Sequence, residues 1–415
     1  RTRMKRHSEA DPDETSGSLE KRARSDEKDR SSERHEEGEQ WLRWDGLPYV
    51  TSDLQGIGGR LKAEPDHFHV TEELLKSDIT GNGEHILLTV QFSGHTTREI
   101  QTRLAGLFSL NERDVAAAGM KDKIAVATQS FSLRLPTMSA DEASAKLSAE
   151  PDLPFRVVAV TKTARKLRKG RLLGNRFRIV VSHVELPIEE ALRRAEEIRR
   201  RLEQTGVPNY FGPQRFGGSS KTKCRESFLS RKAAKHGFWL RELQLNIFQA
   251  HLFNTWLANR ISAGQLTILQ GDVVLKAIST DGARPQHHHA TEPSSDPSEV
   301  ALLSGPLFGR GLRRAKQVAA TYEAEALLPD KIENTSVDAA RVDGNRRSAL
   351  LSLLSMNMVI QSWEQGVGLE FCFQLPPGAY ATAVLREFVK FVETPAEHAT
   401  QPKTLSSELE EQVED

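Results

Sequence analysis

Four short runs rich in β-branched and aromatic residues constrain the fold of this chain more than any other feature: HILLTVQF at His85–Phe92, and residues 128–133, 176–184 and 369–375. Each shows partial apolar/polar alternation, the mark of a strand with one face on a core. Between them lie segments with helical spacing. The clearest opens at Pro187 with Glu189 and Glu190 in its first turn, repeats Ile188, Leu192, Ala195, Ile198 and Leu202 every three to four residues, and stops at Gly206. A second presents Leu245, Phe248, Leu252, Phe253 and Trp256 on one broad apolar face, which reads as core. Strands this far apart, with helices between them, predict an α/β chain (an α+β arrangement).

A length of 415 residues is enough for two domains with their own cores. Lys and Arg (57) balance Asp and Glu (57), so attraction to a polyanion must come from how charge is distributed. Cys224 and Cys372 are the only cysteines, too few for a disulfide framework or a cysteine zinc site, which suits a reducing compartment. No apolar run approaches the roughly 18 residues that would span a bilayer, so a soluble, non-membrane protein is expected. Residues 1–40 contain no aromatic residue and alternate acids and bases with Ser, and a segment that cannot bury apolar surface is expected to be disordered. It lacks the character of a mitochondrial or secretory leader. Lys21, Arg22 and Arg24 fit either a nuclear import signal or a plain solvated tail, which leaves nucleus and cytoplasm both open. Residues 393–415 read as a second, acidic tail.

Residues 278–298 shift to Gly, Pro, Ser, Asp and His and read as an exposed loop. Consecutive His287, His288 and His289 do not easily share one ion, and no Cys completes a tetrahedral set, so no metal is expected. No Walker-type loop occurs, and GIGG at 56–59 lacks the spacing of a dinucleotide turn, so no nucleotide cofactor is expected either.

The segment AAGMKDKIAVATQ, residues 117–129, centres on Asp122. A small-residue run and a Lys-Asp-Lys triplet precede a β-branched stretch, which reads as a turn delivering one carboxylate at the mouth of a strand. By itself such a triplet is an ordinary solvated charge cluster. Its companions set it apart: LKAEPDHFHVTE at 61–72, GNGEHILL at 81–88, RKLRKGRLLGNRFRI at 165–179, VPNYFGPQRFG at 207–217, Gly271 with Asp272, SGPLFG at 304–309 and LPPGAYATAVLREF at 375–388. In order and over residues 56–391, these strings resemble the TruD family of tRNA pseudouridine synthases.

That resemblance implies an RNA isomerase acting on tRNA, with uridine 13 of the D arm as target and other RNAs as further substrates, working without cofactor and as a monomer. It implies that Asp122 is the catalytic aspartate, attacking the target sugar or abstracting a proton from it while the uracil detaches, rotates and rejoins through carbon. Either route needs an ionised carboxylate, and Lys62 is the candidate cation beside it. Asn209 and Phe211 are implied as base-pocket residues, with Phe68 as a second stacking surface and Gln214 and Arg215 orienting ribose or phosphate. An extruded uracil needs a flat apolar surface and an amide at its edge, although any single Phe is also ordinary core. Lys121 and Lys123 flank Asp122 and are read as phosphate contacts, because neighbouring extended residues point to opposite faces.

Between residues 162 and 178 lie Lys162, Arg165, Lys166, Arg168, Lys169, Arg171, Arg176 and Arg178, with no acid among them. This strip predicts phosphate neutralisation, with Lys166, Arg168, Lys169 and Arg171 as RNA contacts. The implied architecture is V-shaped: a pseudouridine-synthase domain from 41–223 and 346–392, an antiparallel sheet with flanking helices, and an inserted α/β domain at 224–345. Two rivals belong to other classes. An RNA-binding protein or chaperone of the same fold would not need a lone carboxylate in an anion's path, and a metal-dependent nuclease would need several clustered acids where this motif offers one.

Overall fold

The computed structural model describes residues 44, 46–216, 219–230, 238–276, 287–289, 301–353, 356–363 and 366–390. The tails at 1–40 and 393–415, the basic Lys21, Arg22 and Arg24, and most of the 278–298 segment lie outside the described residues.

In chain order the first strands are β1 (Phe68–Glu73), β2 (His85–Phe92), β3 (Val115–Ala117), β4 (Val126–Arg134), β5 (Arg156–Thr163) and β6 (Gly174–Val181). Then come β7 (Val207–Pro208), β8 (Val273–Lys276), β9 (His287–His289), β10 (Ala301–Leu307) and β11 (Asn345–Ser348). The last are β12 (Leu350–Leu351), β13 (Asn357–Trp363) and β14 (Gly366–Leu375). Eight strands form one sheet in the order β13-β14-β6-β1-β4-β2-β5, with β3 also on β4. The antiparallel sheet expected from the sequence carries one exception: β1 and β4 run parallel, His69–Thr71 against Val126–Thr128. Parallel neighbours need a crossover connection, and the chain between them supplies β2 and the helix Thr97–Leu107.

Helix boundaries follow local chemistry. Thr96 and Glu99 form a reciprocal capping box at the start of Thr97–Leu107, as Ser139 and Glu142 do for Ala140–Ser148. Ile188–Thr205 begins after Pro187 and ends at Gly206, whose φ of +77° favours glycine. Its Ala195, Ile198 and Leu202 join Ile179, Val181, Leu369 and Phe371 of the sheet in one core that also takes in Val384, Leu385 and Phe388 of the final helix, Ala381–Val389. That helix also ties down the start of the fold. Buried Arg386 lies 3.8 Å over the Tyr49 ring and donates to the carbonyls of Leu47 and Pro48, while Glu387 accepts from Thr51.

A second sheet has the order β11-β10-β8-β9. Here the sequence reading of an exposed loop is corrected for one part, because His287–His289 pair with Val273–Leu275 in an antiparallel strand. Its polar composition hides the partner that makes it a strand. The resemblance motifs in this region have structural reasons. The Asp272 carboxylate takes the Arg260 fork end on at 2.9 and 3.1 Å with both side chains buried. A Cβ on Gly271, whose φ is +90°, would overlap the Lys316 carbonyl. One on Gly305 would overlap the Trp256 ring.

Among the described residues the chain divides into two compact units, one containing Pro213–Phe248 and the other containing Leu47–Gly212 and residues 249–390. Both sheets belong to the second. Among the described residues no helix is long and apolar enough to cross a membrane.

Candidate active site

Strand β3 pairs with β4 only at residues 131–133, and β1 pairs with it only at 126–128. The interval at Gln129 and Ser130 is filled by a side chain. Buried Glu72, near the end of β1, accepts from Gln129 Nε2 at 3.2 Å and from Lys121 Nζ at 2.8 Å. Gln129 also donates to the Gly119 carbonyl at 2.8 Å, and the Lys121 N–H donates to Thr97 Oγ1 at 2.8 Å. The loop between β3 and β4 is therefore pinned on both sides of Met120, and the next residue after its anchor is Asp122.

Asp122 is half-exposed. Its carboxylate pairs with the Lys62 ammonium and accepts from the Ile124 N–H at 3.2 Å. Lys62 adopts a φ of +56°, in the left-handed region that side-chain-bearing residues enter at a cost of roughly 1–3 kcal/mol. From there its ammonium lies 4.7 Å over the Phe68 ring. Partial burial alone would raise the Asp122 carboxyl. The hydrogen bond and charge of Lys62, with the N–H groups of Ile124 and Lys123, outweigh it and hold the carboxyl below its ordinary value of 3.8. Exposed Met120 and Ile124 flank this ionised group, so a substrate closing over the loop would displace water from around it.

Asn209 and Phe211 follow β7 and are both buried. The Asn209 amide donates to the Ser348 carbonyl at 2.9 Å and accepts from Arg347 Nη2 at 2.6 Å. The Phe211 backbone is clamped by Asn254, whose Oδ1 accepts from its N–H at 2.9 Å and whose Nδ2 donates to its carbonyl at 3.0 Å. Its ring meets Phe253 at 5.6 Å and Tyr380 at 5.9 Å between centroids. Above it, at 4.0 Å, lies the Arg347 guanidinium, which also donates to the carbonyls of Asn209 at 3.1 Å and Gly378 at 2.9 Å. Sequence reasoning missed Arg347, Asn254, Tyr380 and Glu72. Tyr380 and Gly378 stand inside a motif already noted, but nothing in the chain near Arg347 marks it.

Register relates the ends of β14 and β1. Leu375 pairs with Asn175, and Asn175 pairs with Glu72. The turn from β14 toward Gly378 and the residue that anchors the Asp122 loop thus start two strand spacings apart, about 10 Å.

The remaining sequence-predicted residues fall differently. Phe68 packs edge-on to Phe177 at 6.1 Å and carries Lys62, so it serves as a floor beneath the cation. Lys121 turns inward, 5% exposed in its side chain and committed to Glu72, which corrects its reading as a phosphate contact. Lys123 is exposed, with Glu99 3.9 Å away. Gln214 is exposed and Arg215 half-buried in the turn Pro213–Arg215, which belongs to the other compact unit. The basic strip is acid-free in sequence but not in space: Arg171 pairs with Asp78, Arg176 with Glu73 and Arg178 with Glu370. Lys162 donates to the Met138 carbonyl, and Lys166 to that of Arg113. Arg165, Arg168 and Lys169 have no carboxylate partner among the described residues. No group of three or more His, Cys, Asp or Glu suited to a metal occurs among them either.

The chain is similar to known proteins over most of its length. The family model described as tRNA pseudouridine synthase D (TruD) matches residues 45–226 and 238–388. A protein named tRNA pseudouridine synthase D from Anaeromyxobacter dehalogenans is 36% identical over 355 residues, covering 83% of this chain and 96% of the relative. One of the same name from Thermus thermophilus is 33% identical over 361 residues, covering 84% and 94%. A crystal structure of a Methanosarcina mazei protein, described as a tRNA pseudouridine synthase D of provisional assignment, superposes with a TM-score of 0.65 at 20% identity over 83% of this chain and 97% of its own. At that identity the likeness concerns the fold.

Proposed function

Because this chain belongs to the TruD family of tRNA pseudouridine synthases, which are isomerases, we propose that it converts uridine to pseudouridine in tRNA, at position 13 of the D arm, with Asp122 as the catalytic carboxylate. The observation that carries the reading is the Lys62–Asp122 pair: a carboxylate kept ionised by one cation, on a loop fixed by Glu72, and still half-exposed to a ligand.

The chemistry balances within the nucleoside. The N1–C1′ bond breaks, a C5–C1′ bond forms, C5 gives up a proton and N1 gains one. No electron carrier is required. Asp122 starts the sequence by attacking C1′ or by taking a proton from C2′, and both routes need the charged form that Lys62 maintains. The base must leave its stack to expose the sugar, at a cost of a few kcal/mol. Phe211 supplies the replacing surface and Asn209 the amide edge, with Arg347 fixing both. Lys123, Lys166, Arg168, Lys169 and Arg171 hold phosphates. We divide the chain as a catalytic domain at 41–223 and 346–392 with 224–345 inserted. All strands of the large sheet fall in the first set, and β8, β9 and β10 in the second.

Incubating unmodified tRNA transcripts with the protein in EDTA, then mapping pseudouridine along the RNA, tests this reading. Pseudouridine at position 13 supports it. RNA that is bound but unchanged would mean a binding protein of the same fold, and strand cutting abolished by EDTA would mean a nuclease.

A further inference from the structure

The loop between β5 and β6 forms an open cavity of about 330 Å3 lined by Ala164, Arg165, Lys166, Arg168 and Arg171. That volume corresponds to on the order of ten water molecules, room for one phosphodiester with its hydration and far too little for a duplex. Four of its five lining residues are cationic. Two are fixed in place: Arg171 Nε donates to Asp78 at 3.1 and 3.2 Å and its Nη2 to Ser77 Oγ at 3.3 Å, while Lys166 donates to the Arg113 carbonyl. Arg165 and Arg168 remain, exposed and without a carboxylate partner among the described residues. One carboxylate against four cations leaves the cavity strongly positive. Like charges gathered in one hollow repel one another unless an anion joins them. Guanidinium forks match phosphate oxygens two at a time.

The cavity is also tied to the candidate catalytic loop. The Gly170 N–H, from the turn that follows Arg168, donates to the Ala118 carbonyl at 2.7 Å. Leu167 N–H donates to Ser132 Oγ at 3.0 Å on β4. Ala118 precedes Asp122 by only four residues of chain, at most about 14 Å.

We propose that this cavity is a discrete subsite for a single phosphodiester of the substrate RNA near the target uridine, whose occupation sets the register in which the strand meets Asp122. It deepens the proposed tRNA modification, since it names which phosphate contact is built and rests on RNA being the substrate. A diffuse basic strip would attract every phosphate alike; a cavity selects one.

The test uses the full chain and an unmodified tRNA transcript, ligated so that single neutral methylphosphonates replace individual phosphates around the D arm. Affinity is measured for wild type and for the Arg165→Ala/Arg168→Ala variant, whose changed side chains are both exposed. The expected result is one position where neutralisation weakens wild type about tenfold and leaves the variant unchanged, with the variant's salt slope lower by about one. Equal losses in both proteins at every position, or a variant binding as tightly as wild type with the same slope, would overturn the subsite. A parallel arm counts tritium released by wild type from tRNA tritiated at uracil C5. Release without any coupled phosphate removes the subsite alone, whereas no release removes the isomerase reading while the binding data still decide the subsite.

Discussion

The guanidinium of Arg347 sits 4.0 Å over the ring of Phe211 and reaches around it to donate to the Asn209 amide oxygen at 2.6 Å. One planar cation thus sets the orientation of both residues proposed to receive the base, a task for which Lys is no substitute because it lacks the flat fork. Arg347→Lys should lower the rate of isomerisation at saturating tRNA by about tenfold or more, since a misplaced group costs rate steeply. Affinity for tRNA should change less than about threefold, because phosphates supply most of it. Comparable losses in rate and affinity would contradict a positioning role.

Lys62 governs the pH response. A carboxyl held below 3.8 in the folded protein stabilises it above the unfolded value, and that contribution disappears as pH falls through the folded one. The wild-type rate should therefore show no carboxylate limb between pH 5 and 8, to which range roughly one unit of margin remains. In Lys62→Met, burial acts on Asp122 against only the N–H groups of Ile124 and Lys123, and the acid limb should move to higher pH. Superimposable pH–rate profiles would refute the pairing.

Buried Asp272 and Arg260 make a different prediction. Removing one member of such a pair strands the other charge and typically costs about 3–5 kcal/mol. Asp272→Ala should lower the melting temperature by several degrees while the activity of the folded fraction stays near wild type. A full melting temperature would show that water reaches Arg260.

Much of this fold was legible before any coordinates. His85–Phe92 is a strand with the bounds its composition suggested, and the helix announced by Pro187 and closed by Gly206 runs Ile188–Thr205. Periodicity carried those elements because each pattern is local. What stayed hidden was pairing. The three-residue β3, the parallel contact of β1 with β4 and the histidine strand β9 exist because of partners far along the chain. The candidate site divides the same way. The Asp122 motif and its cation Lys62 could be named from the strings that hold them, but Lys121 looked like a surface charge because Glu72, which buries it, lies 49 residues away. Arg347 was missed for a like reason: its Asn209 partner is 138 residues distant.

Glu72 offers an independent check on the loop. Replacing it with Gln leaves the Lys121 ammonium buried without a counter-charge, and the loop that carries Asp122 loses one of its anchors. Glu72→Gln should melt earlier and slow isomerisation by about tenfold or more, even at temperatures where the protein is fully folded. Normal turnover by the folded variant would show that the anchor is dispensable.

The most direct test of the central claim follows tritium leaving C5 of uracil in tRNA, for wild type and Asp122→Asn side by side in EDTA. The asparagine keeps the shape and loses the charge, so tRNA binding should persist while tritium release falls to background. Release by the Asp122→Asn protein at a rate near wild type would contradict the assignment of Asp122 as the catalytic group.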